Sequence, residues 1–106
     1  MPFRVQRLPT FLAKKEVFEW LKQGKKTIDV RKGNPQCGDN ALFVCGPYRL
    51  AMRIVGIQSG RLTDVIRQDN FRQVIPSAQS VDDALAYLRR IYGDCDGIFT
   101  AYTVTC

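Results

Sequence analysis

GKKTIDVR, residues 24–31, is the stretch on which both the fold and the candidate site turn. Ile28 and Val30 alternate with Thr27, Asp29 and Arg31, so KTIDVR reads as a strand with the aliphatic pair on one face and the polar set on the other. Gly24 closes what comes before. In AKKEVFEWLKQG, residues 13–24, Ala13, Val17, Phe18 and Leu21 share one helical face, Lys14, Lys15, Glu19 and Lys22 lie largely elsewhere, and Gly24 occupies the position of a C-terminal cap. Trp20 reads as a packed, partly buried aromatic rather than a base-stacking platform.

Working outward, FRVQRL at residues 3–8 alternates well enough for a short strand that Pro9 and Thr10 break. KGNPQCGDN supplies turn chemistry after the central strand. ALFVCG and YRLAMRIVGI, separated by Gly46 and Pro47, form a hairpin or short meander whose second strand sets Arg49 and Arg53 opposite Leu50, Met52 and Ile54. LTDVIRQDNF offers a helical turn with Leu62, Val65 and Ile66 as apolar contacts and Asn70 near its end, and RQVIPSAQ reads as a loop. SVDDALAYLRRIYG is a helix: Ser80 and Asp83 form a capping pattern, Val81, Ala84, Leu85, Leu88 and Ile91 form the buried stripe, and Arg89 and Arg90 complement the C-terminal dipole. GIFTAYTVTC, from residue 97, gives a closing strand. The expected architecture is a single α+β domain over residues 1–106, a small, curled β-barrel of mostly antiparallel strands with helices packed around it.

Composition narrows the chemistry. The 106 residues contain no histidine, which removes Ser-His-Asp and Cys-His nucleophiles and the commonest general base near neutral pH. Cys37, Cys45, Cys95 and Cys106 contain no C-x-x-C pair, so reduced thiols, with neither metal nor cofactor, are expected. Sixteen basic against ten acidic residues give a net charge of +6, which favours a polyanionic or phosphate-bearing partner. Short apolar runs interrupted by charge, and an N-terminus without an apolar leader region, point to a soluble cytoplasmic chain that does not enter a membrane.

In a cleft, Lys26 would supply a mobile cation, Asp29 a carboxylate, Arg31 a planar donor fork and Thr27 a hydroxyl. That set suits a polar heterocycle beside a phosphate. An Asp29 ion pair with a neighbouring lysine or arginine on an exposed strand accounts for the same residues equally well. Parity adds a condition: a regular strand places Lys26 on the face of Ile28 and Val30, so cooperation with Asp29 requires a twist, a bulge or an irregular start from the Gly24 turn.

GKKTIDVR matches the pattern G-x-K-x-x-[DE]-x-R, and the chain thereby resembles the ASCH family, the activating signal cointegrator homology domains, which are similar in fold to PUA RNA-binding domains. The preceding helix, the downstream Gly38-Asp39, the basic strands, the late helix and the final strand follow in the family's order. The resemblance implies a small PUA-like barrel and a cleft lined by Lys26, Asp29 and Arg31, with Thr27 beside them, in a superfamily linked to RNA or modified-nucleotide recognition. Some small bacterial relatives look like amidohydrolases that deacetylate acetylcytidine with a lysine, a threonine and a glutamate. Lys26 matches their lysine, Asp29 stands in place of the threonine, and no glutamate occurs around Ser77.

Two main functions follow as expectations. The first is a binding module for RNA or a nucleotide-like small molecule. The second is an amidohydrolase acting on an acylated base or nucleoside such as acetylcytidine, with Asp29 positioning or activating water and Lys26 polarising the carbonyl. A protein-interaction module with an incidental basic surface is a third reading, with no partner specified.

Overall fold

The computed structural model describes residues 8–106. The strand expected at residues 3–8 thus lies outside the described residues except for Leu8, which is not in a strand. The chain runs β1 (Thr10–Leu12), α1 (Lys15–Lys22), β2 (Ile28–Lys32), β3 (Asn40–Cys45), β4 (Tyr48–Gly60), α2 (Leu62–Val65), α3 (Phe71–Val74), α4 (Val81–Tyr92) and β5 (Phe99–Thr105).

The five strands form one sheet in the order β1-β3-β4-β5-β2. It is mixed rather than mostly antiparallel, because β1 runs parallel to β3. The reason lies in the connection: α1 and β2 separate β1 from β3 and return the chain in the same direction, as a parallel pairing requires. Thr10, expected with Pro9 to break the preceding strand, instead opens β1, and the Pro9 carbonyl just before it accepts the Leu42 amide at 2.8 Å. Phe11 anchors the short strand by burying its ring against Phe43 and Tyr102.

The expected barrel is observed as a curled half-barrel. In a flat sheet, edge strands four spacings apart would stand roughly 19 Å from each other. Here Arg31 Nη1 of β2 donates to the Leu12 carbonyl of β1 at 2.7 Å, so a side chain joins the two edges.

Helices cover both faces of the sheet. Val17, Phe18 and Leu21 of α1 pack with Phe11, Phe43, Met52, Tyr102 and Val104. Residues from α2, α3 and α4 bury the other face with Ile28, Val30, Phe99 and Ala101. Trp20 touches both layers and stacks at a tilt on Tyr87, with ring centroids 6.0 Å apart, as a partly buried packing residue.

Several local expectations are met for local reasons. Gly46, at φ +56°, and Pro47 turn β3 into β4, with Cys45 opposite Tyr48. Ser80 Oγ accepts the Asp83 amide at 3.1 Å and caps α4. RQVIPSAQ is not wholly a loop, however, because residues 72–74 belong to α3. Asn70 makes that turn: its Oδ1 accepts the Arg67 amide at 2.7 Å and its Nδ2 donates to the Val65 carbonyl at 3.0 Å. Phe71 and Val74, three residues apart, then fall on one buried face.

Candidate functional site

The site begins where α1 ends. Gly24, at φ +76°, takes the left-handed conformation that costs glycine little, its amide bonds the Leu21 carbonyl at 3.2 Å, and the Lys25 amide bonds the Trp20 carbonyl at 3.0 Å. The Lys26 amide shares that Trp20 carbonyl at 3.1 Å, so Lys26 still belongs to the helix cap. Strand β2 starts only at Ile28. This irregular start resolves the parity conflict, because Lys26 is not bound by the alternation that governs Asp29 and Arg31.

The edge of β2 supplies the next layer. Thr27 carbonyl to Val104 amide at 2.9 Å and Gly33 amide to Ile98 carbonyl at 2.8 Å set the ladder phase, so the main-chain groups of Ile28 and Val30 point away from β5. Lys26 Nζ donates to the Ile28 carbonyl at 2.8 Å and to the Val74 carbonyl. Tyr92 Oη approaches the Val30 carbonyl at 3.5 Å. Side chains therefore occupy carbonyls that an open sheet edge would leave free.

Asp29 and Arg31 lie beside this edge on the α1 side. Arg31 Nε donates to Asp29 Oδ2 at 2.5 Å and Nη2 to Oδ1 at 3.3 Å, a two-pronged grip. The guanidinium also sits 4.8 Å from the centroid of the Phe11 ring. Burial works against the charge of Arg31, but Asp29, acting through its charge and hydrogen bonds, outweighs it and raises the arginine pKa above its ordinary value. Burial dominates at Lys26 and, with Arg31 acting in the same direction against the opposing effect of Asp29, lowers its pKa to about 8.

Lys26, Asp29 and Arg31 line one cavity of about 80 Å³ between α1 and α4, with Ile75, Tyr87 and Tyr92 among its walls. Asp29 and Lys26 are only 2% and 3% exposed. Thr27 does not join them. Its amide bonds the Gln73 carbonyl at 3.1 Å, and the cavity wall does not include it. Ser77 is exposed and likewise lies outside the wall.

Lys26 has three donors, and two meet backbone carbonyls, so one N–H is left for a guest. Both Asp29 oxygens bond Arg31, yet a carboxylate has about four acceptor positions and can accept again. The site can therefore present a donor and an acceptor to the same cavity in a largely dry setting. Sequence reasoning missed Tyr87, Tyr92, the Leu12 carbonyl and the Val74 carbonyl. The tyrosines were visible only as neighbours of the α4 stripe, and backbone carbonyls leave no compositional signal.

All four cysteines are unpaired, and among the described residues no cluster of histidine, cysteine or carboxylate side chains is placed to hold a metal. No helix among the described residues is long and apolar enough to cross a membrane.

No family model matches the chain, and no curated protein sequence matches it. Solved structures do. The crystal structure of the hypothetical protein PH0355 superposes with a TM-score of 0.75 at 16% identity, covering 92% of this chain and 97% of that one. The solution NMR structure of protein PF0455 from Pyrococcus furiosus superposes with a TM-score of 0.67 at 18% identity, covering 92% and 96%. At these identities the likeness is one of fold alone, and the chain shares with both a small half-barrel architecture.

Proposed function

We propose that the chain is an ASCH-type, PUA-like domain that binds RNA or a nucleotide-like ligand by the polar edge of a base. The observation that carries this reading is the convergence of Lys26, Asp29 and Arg31 on one cleft through an irregular strand start. An ammonium N–H and a carboxylate lining one cavity complement an amide-like edge, which carries an acceptor next to a donor. A cavity of about 80 Å³ is roughly half the ~150 Å³ that holds benzene, so it suits an exocyclic edge better than a whole ring. The surrounding positive charge would serve phosphates.

The test is a titration of nucleotides and short single-stranded RNA at two salt concentrations, with Lys26→Met and Asp29→Asn run beside the parent chain. Lys26→Met should weaken binding, and Asp29→Asn should change the preferred base more than the salt slope. Equal affinity for every polyanion, indifferent to both changes, overturns the reading.

A second reading, an amidohydrolase acting on acylated bases, draws on one specific feature. Lys26 is buried with its pKa drawn down to about 8, beside a cavity of acyl-group size. Ultraviolet-monitored turnover of acetylcytidine, lost in both variants, would establish it. No turnover by folded protein at high concentration would remove it.

A further inference from the structure

A second cavity also borders α1. It measures about 430 Å³ and lies between α1 and the β3–β4 turn, with Phe18, Cys45 and Tyr48 as apolar walls and Lys15, Glu19 and Lys22 along α1. Tyr48 is 66% exposed, a large aromatic face left in solvent. The hairpin register fixes its backbone opposite Cys45, and its ring lies 6.4 Å from that of Phe18 at 45°. Lys15 and Lys22 are seven residues apart, about 10 Å along a helix. Neither forms an ion pair among the described residues.

Resting on the nucleotide reading, we propose that this groove is a base-stacking subsite and that the ligand is a single strand of nucleic acid longer than one nucleotide. A flat aromatic wall with cations at its rim fits a base flanked by phosphates. Glu19 supplies one opposing charge, leaving the lysines in excess. The cleft and the groove adjoin one helix on flanks about 100° apart, with Lys14 and Val17 in the cleft wall and Lys15 and Phe18 in the groove wall. A helix is about 10–12 Å across, so a strand crossing α1 reaches both. Lys14 stands on this route, its Nζ 5.8 Å from the centroid of the Tyr87 ring. The broader basin beside Arg61 and Arg89 offers no aromatic wall and lies at the C-terminal turn of α4, where carbonyl ends disfavour anions.

The test is fluorescence anisotropy with a labelled single-stranded RNA octamer, with uridine monophosphate and the corresponding RNA duplex as comparison ligands. Tyr48→Ala should weaken octamer binding by roughly 5- to 150-fold, the range expected for loss of one base–aromatic stack. Tyr48→Phe should restore it, and binding of the mononucleotide in the cleft should not change. Replacing Lys15 and Lys22 together by glutamine should lower the salt slope by about 1.4. Octamer binding that depends on Lys26 but ignores Tyr48 and both lysines overturns the groove and leaves the cleft reading intact. Failure of the parent chain to bind nucleotide or RNA overturns both. An acidic peptide whose capture requires Tyr48, with RNA binding unchanged by Tyr48→Ala, makes the groove a protein-docking site and overturns the proposal.

Discussion

Arg31 holds Asp29 through both carboxylate oxygens, at 2.5 and 3.3 Å, and uses its remaining terminal nitrogen to bond the Leu12 carbonyl on the opposite edge of the sheet. One side chain thus fixes the acceptor of the candidate site and fastens the half-barrel. The Asp29 ion pair expected from the sequence is present, buried rather than on an exposed strand, and both of its residues line the cavity.

Arg31→Ala should destabilise the protein by about 3 kcal/mol, because it leaves the Asp29 carboxylate buried without its partner. Arg31→Lys should recover only part of this loss, since a point charge cannot replace the planar fork. Urea unfolding of the three chains at pH 7 checks both statements. Arg31→Lys matching the parent chain would show that charge alone suffices.

Lys26 should make stability rise with pH above neutrality. Below about pH 8 the lysine is charged in both folded and unfolded chains, and the cost of burying that charge is fully present. Between about pH 8 and the ordinary value of 10.5, the folded chain gives up the proton while the unfolded chain keeps it. The unfolded state then binds more protons, and the folded state gains, up to ~3 kcal/mol in total. Unfolding curves for the parent chain and Lys26→Met at pH 7 and pH 10 isolate this effect by difference. A constant difference across that interval would mean that burial does not perturb the lysine.

How much of this could be read in advance depended on sequence distance. The Gly46-Pro47 hairpin and the Ser80 cap are local, and local turn and capping chemistry identifies them. β1 was missed because its strand character comes from Phe11 docking on Phe43 and Tyr102, not from a pattern within three residues. Residues 72–74 of α3 read as a loop in the sequence because Asn70, not helical propensity, organises that turn. That same segment supplies the Val74 carbonyl to Lys26 and Ile75 to the cavity wall. Lys26, Asp29 and Arg31 were legible as a motif, whereas the walls contributed by α4 depend on packing between residues about 60 positions apart, as in Tyr92 on Val30.

Gly24 should matter to the site although it lies outside the cleft wall. A Cβ at this position would meet nothing within 4 Å, so substitution introduces no clash. The penalty is conformational, because φ is +76° and an L-residue pays about 1–2 kcal/mol to adopt the left-handed region. Gly24→Ala should lower the unfolding free energy by that amount, while Gly24→Asn, which tolerates this conformation better, should lose less. The cap also carries Lys26 through the shared Trp20 carbonyl, so a chain that relaxes the strain by opening the cap shifts the ammonium away from Ile28 and Val74. Nucleotide affinity should then fall in the order glycine, asparagine, alanine, parallel to stability. Measuring both quantities on the same three proteins separates the effects: a stability loss with unchanged affinity would show that Lys26 is held by its two carbonyls alone, without help from the helix cap.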